Sequence, residues 1–325
     1  EAWCDGLDIL AITDHIETRR QERNMLKFLK GYSPEKKGFE PINTRVSRGK
    51  HADERGIVSD LNFSTELARQ TAKSYPELTI IKGAEISREP VHIGHYCALF
   101  TTDNNVIHDT DPLQAFRNAH AQGALVMNNH PGWRRQNLDM SEPERKAYAA
   151  KLIDGVEVMN GGEFYPRVID YAIEQGVFIA SNTDIHGSSA EEYFVTTEGA
   201  VMRNMTFIFA KDKSLPELKA ALKARRTLAY SFGTIAGEAS LLKDFFKASI
   251  ATSVVYTNPS NGSRTVSLTN TTSIPYTIRI GGGNLTTLNP FCSIRTTVAK
   301  DAKLVVKVEN MWSGKDTHPE VELTF

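Results

Sequence analysis

The sequence predicts an α/β domain followed by a small antiparallel β-domain. From Leu7 to about Phe246, short apolar runs alternate with helical segments. Strands that are almost continuously apolar are buried on both faces, as in a parallel barrel or open sheet. After about Lys247 the runs become short, Thr- and Val-rich and partly alternating, with turn clusters NPSNGS and GGGN, which is typical of a small sandwich. A chain of 325 residues also exceeds the usual size of one core. We therefore expect domains at 1–246 and 247–325.

Six apolar runs give the strands of the first domain: LDILAIT, LTIIKGAE, HYCALF, ALVMNNH, GVEVMN and VFIASNTDIH. Because these runs are nearly continuous and alternate with helices, we expect parallel pairing. Three of the helices have recognisable ends, namely Asp111-Pro112 to Gly123, Pro166 to Gly176, and a start at the Ser214–Glu217 capping-box spacing.

Composition disfavours three classes of protein: nucleic-acid-binding, cysteine-based and membrane-spanning. The net charge of −1 gives no basic excess for a nucleic-acid surface. Cys4, Cys97 and Cys292 are scattered and odd in number, which disfavours a disulfide framework or a thiolate zinc site. No apolar run approaches membrane-spanning length. We therefore expect a soluble protein, either cytoplasmic or exported, with no membrane partner and with its oligomeric state open.

Most of the strand-like runs end in the same few residue types: Asp14-His15, Gly83-Ala84-Glu85, Asn129-His130 and Asp184-Ile185-His186. Each pattern alone is weak evidence for a functional site, but their recurrence at the ends of successive strands is stronger evidence. In barrels and open α/β sheets, the carboxyl ends of the strands share one rim, where active sites are built. We therefore expect these side chains to converge.

The spacing within these motifs predicts orientation. In Asp184-Ile185-His186, a separation of two places both side chains on one face of an extended segment. Asp14 and His15 are neighbours and point opposite ways, so we expect His15 to face inward with Asp14 as its supporting partner. Histidines and carboxylates without cysteine suit divalent manganese, iron or zinc. Several such clusters suggest more than one ion, an arrangement suited to phosphoryl chemistry.

In order, LDILAITDH, GAEIS, NHPGW and NTDIHG resemble the successive motifs of the PHP (polymerase and histidinol phosphatase) family of metal-dependent phosphoesterases, over about residues 5–246. GAEISREPVHIGHYCALF is similar to a bacterial two-domain, phosphodiesterase-like branch. The resemblance implies that the first domain is a distorted (β/α)7 barrel with up to three divalent metals, and that it hydrolyses a small phosphorylated substrate by a metal-bridging hydroxide. The second domain, from its own strand pattern, is expected to be an Ig-like sandwich.

The resemblance also implies roles for individual residues. Glu85 would bridge two metals, one completed by His95 and His130; His15 and His186 would serve another, and Asp184 the third. His92 competes with His95, which we favour because it directly opens the strand YCALF. Arg88 is a candidate for binding the substrate phosphate, bidentately as arginine does, and Arg134 and Arg135 are weaker ones. The catalytic set is therefore His15, Glu85, His130, Asp184 and His186.

One departure from the family concerns the start of the chain. PHP proteins begin with a strand carrying His-x-His, then an Asp before Gly, which this sequence lacks. We expect that strand upstream of Glu1, so two ligands of the Asp184 metal and one of the His15/His186 metal are absent, while the Glu85/His95/His130 set is complete. The expectation is a fragment with weak or no activity.

Two alternatives remain open. The chain could be a non-catalytic binding or scaffold protein with a degenerate barrel, which would purify without a transition metal. A polymerase-associated PHP exonuclease acting on nucleic acid is disfavoured by the near-neutral charge.

Overall fold

The computed structural model describes residues 1–32, 43–86, 93–135, 137–189 and 203–325. Its helices are α1 Thr18–Tyr32, α2 Phe63–Ala72, α3 Pro112–Ala121, α4 Glu142–Ala149, α5 Pro166–Gln175, α6 Leu215–Lys223 and α7 Ala239–Ser249, with a short 3-10 helix at Asn104–Val106. Its strands are β1 Ile9–Ile12, β2 Thr44–Val46, β3 Ile57–Ser59, β4 Thr79–Ile86, β5 His95–Leu99, β6 Leu125–Asn129, β7 Gly155–Asn160, β8 Glu163–Phe164, β9 Phe178–Asn182, β10 Met205–Ile208, β11 Thr227–Ser231, β12 Thr234–Ala236, β13 Ile250–Thr257, β14 Arg264–Asn270, β15 Tyr276–Ile280, β16 Thr286–Leu288, β17 Ser293–Val298, β18 Leu304–Val308, β19 Met311–Trp312 and β20 Glu320–Leu323. None of the helices in this described part has the length and apolar character needed to cross a bilayer.

The chain is mixed α/β and folds as two compact units, one of Glu1–Val156 with Ala210–Lys223 and the other of Glu157–Phe209 with Ala224–Phe325. The predicted boundary after residue 246 falls within the second unit, where α7 and the later strands contribute to one buried cluster. That domain boundary stays a prediction.

The main sheet of the first unit is mixed rather than parallel. β1 pairs parallel with β4, but β5 lies antiparallel to both β4 and β6. The expected parallel direction of HYCALF is therefore wrong. A parallel crossover needs a dozen or more residues, and only residues 87–94 separate β4 from β5. The reversal brings the first residue of β5, His95, to the same edge as the end of β4.

The starts of three helices agree with the sequence signals. Asp111 caps α3 by accepting a hydrogen bond from the Leu113 amide at 3.0 Å. α5 begins at Pro166 and ends at Gly176, whose φ of 69° is the left-handed conformation of a glycine C-cap. α6 begins at Leu215 as expected, and the Ser214 amide donates to Asp212 Oδ1 at 2.8 Å. The capping box between Ser214 and Glu217 stays a prediction.

In the second unit, the C-terminal strands form two antiparallel sheets, as the alternating pattern predicts. One has the order β13-β14-β17 and the other β16-β15-β18-β20. Alternate residues of β14 and β18 point into the same buried cluster as Phe246 of α7. The remaining sheet has the order β10-β11-β12-β19.

Candidate metal centre

Glu85 lies near the end of β4, buried, and backbone bonds fix the segment after β1 beside it. The Glu85 amide donates to the Asp14 carbonyl and the Ile16 amide donates to the Glu85 carbonyl, both at 3.0 Å. These two bonds make an isolated parallel bridge between His15 and Glu85. The parallel register of β1 and β4 therefore continues past the strand end and places an imidazole next to a buried carboxylate.

The two oxygens of Glu85 point to different histidines. Oε2 lies 3.2 Å from His15 Nδ1, and Oε1 lies 2.8 Å from His95 Nδ1. Glu17 Oε2 lies 3.3 Å from the same nitrogen of His15. Two groups of potential ligands result, Glu85/His95/His130 and His15/Glu17/Glu85, each with ligand atoms within 4.8 Å of one another.

His95 and His130 meet because of the pairing between β5 and β6. His95 pairs with Asn129, the last residue of β6, and His130 follows directly. The two imidazoles then place His95 Nδ1 3.2 Å from His130 Nε2. His130 has a positive φ of 26°, which is costly for a non-glycine residue. It also precedes Pro131, which disfavours the helical conformation for His130. Such strain is common where a side chain must be aimed at a functional site.

The contacts inside the cluster fit ligands better than hydrogen-bond partners. Glu85 Oε1 is buried and, among the described residues, makes no hydrogen bond of acceptable geometry despite its 2.8 Å approach to His95. A buried carboxylate oxygen without a hydrogen bond is costly, so a missing partner is indicated. Neutral imidazoles and ionised carboxylates that converge in this way are the donor set of divalent manganese, iron and zinc.

Asn129 holds the two strands in register behind the ligand atoms. Its side-chain amide donates to Cys97 Sγ at 2.9 Å, and its Oδ1 accepts from the Cys97 amide at 3.3 Å. Cys97 is buried and is not among the potential ligands. These bonds keep His95 and His130 facing each other.

An aromatic wall and a small cavity adjoin the histidine pair. The Trp133 ring lies 4.8 Å from His95 and 5.5 Å from His130, centroid to centroid. The exposed Arg134 guanidinium stacks on that ring at 4.4 Å, whereas Arg135 is tied by a 2.8 Å ion pair to the buried Glu144. The cavity has a volume of about 160 Å³ and is lined by Gly94, His95, Asn128, Asn129, His130, Pro131, Trp133, Arg134 and Arg135.

Four of the residues singled out from the sequence thus come together: His15, Glu85, His95 and His130. Asp14 contributes its carbonyl to the Glu85 amide, while its carboxylate accepts a hydrogen bond from the Ser64 hydroxyl. Arg88 and His92 lie outside the described residues.

Asp184 and His186 lie in the second unit, in a conformation that the spacing did not predict. β9 ends at Asn182, and Asp184 has a left-handed φ of 54°, so the expected extended segment is wrong. Asn182 is tied to Glu157 by a 2.8 Å hydrogen bond where the strand ends, and aspartate tolerates the left-handed turn that follows better than most residues. His186 Nδ1 accordingly folds back to 2.7 Å from the Asp184 carbonyl oxygen.

Glu17 is the residue that sequence reasoning missed. Glu17 is separated by two from His15, as His186 is from Asp184. In an extended segment this spacing would place both side chains on one face. The motif DHIE therefore contained a usable signal in its last letter.

The fold and the site together define a two-unit α/β protein whose first unit gathers imidazoles and carboxylates around a buried glutamate. No family profile matches the sequence, and no curated protein matches it. A two-domain protein from Bacteroides vulgatus, described as containing a predicted PHP-like metal-dependent phosphoesterase, matches 100% of this chain and 88% of its own, with 26% identity and a TM-score of 0.81. The resemblance to the PHP family is confirmed by this likeness.

A protein from Bifidobacterium adolescentis, described provisionally as a metal-dependent phosphoesterase, matches 38% of this chain and 73% of its own. The identity is 12% and the TM-score 0.31, too low for any inference about this chain.

Proposed function

We propose that the protein hydrolyses phosphate esters with divalent metal ions held around Glu85. The observation that carries the proposal is the division of the Glu85 carboxylate, with one oxygen toward His15 and the other toward His95. A carboxylate in that position can be shared by two neighbouring ions. The PHP-like phosphoesterase described for the Bacteroides vulgatus protein supports the same reaction class.

In this proposal, His95 and His130 complete one ion site with Glu85, and His15 and Glu17 complete the other. Asp184 and His186 are proposed as further ligands, as the family resemblance implies. Bound divalent ions would neutralise phosphoryl oxygens and lower the pKa of a bound water. Glu85 would supply anionic charge beside the imidazoles of His15 and His95, and the Asp14 carbonyl holds the Glu85 backbone.

Trp133 and Arg134 are proposed to receive the substrate. Trp133 presents an apolar surface beside two proposed ligands, and Arg134 adds a cation held by stacking. A guanidinium recognises phosphoryl oxygens in a bidentate manner. Arg135 positions this loop through Glu144 rather than contacting substrate. Arg88 is proposed as a second phosphate contact.

The finer features of the fold also belong to the proposal. We propose that the strands of the first domain form a distorted (β/α)7 barrel and that the two C-terminal sheets form an Ig-like sandwich. The shared buried cluster of those sheets supports the sandwich. Zinc, manganese or iron suits the donor set, and the substrate is a small phosphate monoester or diester.

The test measures metal content and hydrolysis together on the full chain. Protein purified without chelator is assayed with bis-p-nitrophenyl phosphate and p-nitrophenyl phosphate, before and after addition of divalent manganese or zinc. We expect bound transition metal and, in this chain, weak hydrolysis that a chelator removes and added metal restores. Metal-loaded protein that hydrolyses neither ester would contradict the enzyme proposal. Protein that binds no transition metal would favour a scaffold with a degenerate site.

A further inference from the structure

A second histidine pair in the first unit has surroundings of the opposite charge. The rings of His51 and His108 meet edge to face, with centroids 5.4 Å apart and planes at 85°. His51 lies in the turn between β2 and β3, and His108 follows the 3-10 helix. Each ring has a buried Nε2 that lacks a hydrogen-bond partner within the described residues.

A third unsatisfied donor belongs to Arg19, whose charge acts on both rings. Its terminal nitrogens are occupied: one donates to Glu22 at 2.8 Å, and the other to the Ser59 carbonyl at 2.9 Å and Asn105 Oδ1 at 2.7 Å. Its Nε–H is buried and has no partner within the described part of the chain. Three nitrogens that each lack a bond, two on imidazoles and one on a guanidinium, are therefore grouped in one neighbourhood.

The charges near the pair are mainly positive. Residues 18–23 and 44–51 contain six arginines and lysines (Arg19, Arg20, Arg23, Arg45, Arg48 and Lys50) and one acid, Glu22. Asp53 and Glu54 follow His51, and Asp109 follows His108, but Asp53 is paired with Arg55. Asp60 and Asp103 oppose Arg45, and Glu22 opposes Arg19. Lys50 and Arg20 are the exposed cations whose fields also reach His108.

The titration of the histidines has the sign that this charge distribution requires. Burial lowers the pKa of His108 to about 4, and repulsion from His51, Lys50, Arg19 and Arg20 acts in the same direction. Burial, Lys50 and Arg19 also lower the pKa of His51. A metal cation would be repelled here, whereas an anion with several acceptor oxygens could accept hydrogen bonds from more than one of these side chains.

We propose that His51, His108 and Arg19, assisted by Lys50, bind a phosphate-type oxyanion. Each neutral imidazole would donate one N–H, and the Arg19 Nε–H would supply the third bond. The ligand is free inorganic phosphate or the phosphoryl group of a small phosphate ester. The site shares no residue with the Glu85 cluster and does not depend on the function proposed for that cluster.

The test measures the binding of inorganic phosphate to the metal-loaded full chain by calorimetry and by the rise in Tm. Since phosphate could also bind at the Glu85 cluster, Glu85→Gln is measured in parallel and is expected to retain binding. The double variant His51→Gln/His108→Gln is expected to bind about tenfold more weakly, since two hydrogen bonds to a charged group are altered. Lys50→Gln, an exposed position, should weaken binding about threefold.

The proposal is overturned if the unsubstituted protein binds no phosphate, if binding is unchanged in the double variant, or if binding is lost in Glu85→Gln. If the double variant does not fold, Lys50→Gln decides, because an unchanged Kd there contradicts the charge argument. Loss of zinc rather than phosphate binding in the double variant would identify a cation site and also overturn the proposal. A parallel titration with glycerol 3-phosphate separates the two sources: binding of both ligands identifies an ester site, and binding of phosphate alone identifies a site for the free ion.

Discussion

Two groups of histidines in the first unit differ in the charges that surround them. His15, His95 and His130 gather around the carboxylates of Glu85 and Glu17, whereas His51 and His108 lie near Arg19 and Lys50. The imidazole is the same in both places, with one nitrogen lone pair and one N–H when neutral. Acids make the lone pair useful, because they attract a cation that it can ligate. Cations make the N–H useful, because they attract an anion to which it can donate. The charge of the surrounding side chains therefore determines whether the lone pair or the N–H group of the imidazole can bind a ligand.

Glu85→Gln should have the largest effect, because it removes the charge that both ligand groups share. We expect loss of bound metal, measured by elemental analysis, and a fall in hydrolysis larger than the roughly 10- to 100-fold that loss of an outer partner causes. The matched control is Glu142→Gln, which removes an exposed acid of α4 paired with Lys146 and should change neither. Full metal content in Glu85→Gln would remove the basis for the cation cluster.

Glu22→Gln tests the other group by removing the acid that neutralises Arg19. Burial raises the pKa of Glu22, so the ionised pair is already costly, but removing one partner leaves a buried guanidinium uncompensated. We expect unfolding in urea to show a loss of roughly 3 kcal/mol. Because the neighbourhood becomes more positive, inorganic phosphate should raise the Tm of this variant more than that of the unsubstituted protein. An equal rise in both would show that Arg19 does not act on the anion.

Glu17→Gln separates the two ligand groups. Glu17 belongs to the His15 group alone, so the variant should lose affinity at one ion site by about tenfold and leave the Glu85/His95/His130 site unchanged. Competition with a metal-sensitive dye measures the two affinities, and His130→Ala provides the reciprocal variant. A single affinity that falls equally in both variants would mean that one ion occupies the whole cluster.

The sequence was most informative where a potential metal ligand lies at or just after the end of a strand. His15, Glu85 and His130 each follow an apolar run, so their convergence could be expected from the shared edge of a sheet. Glu17 is not signalled by a strand end, because it lies two positions beyond His15, which itself follows the apolar run. The predicted direction of β5 was wrong because apolar character alone does not indicate strand direction. The short connection between β4 and β5 does indicate it, since it is too short for a parallel crossover.

Other features were beyond the reach of sequence patterns. Asp184 has a left-handed backbone that the Asp-x-His spacing does not signal. His51 and His108 lie on irregular segments far apart in the chain, and only the packing of the β2–β3 turn brings them together. Local motifs therefore indicated the acidic group of histidines, and tertiary structure alone revealed the cationic one.

The smallest expected effect concerns the pH dependence of stability. Burial, together with repulsion from nearby cations, lowers the pKa of His108 to about 4, whereas an unfolded imidazole titrates near its ordinary value of about 6.5. Between these values the unfolded chain binds the additional proton, so His108 contributes to a loss of stability as the pH falls from about 6.5 to about 4. One proton can change the unfolding equilibrium at most about tenfold per pH unit, and partial exposure of the ring makes the change smaller.

Comparing urea unfolding of the unsubstituted protein and His108→Gln at several pH values isolates this contribution, because the other titrating groups, His51 included, are present in both. The variant should lose less stability over the same interval. The measurement is made without phosphate, since a bound oxyanion would favour the protonated ring and reduce the difference. Identical pH profiles would mean that neither burial nor the charges of Lys50, Arg19 and Arg20 lower the pKa of His108.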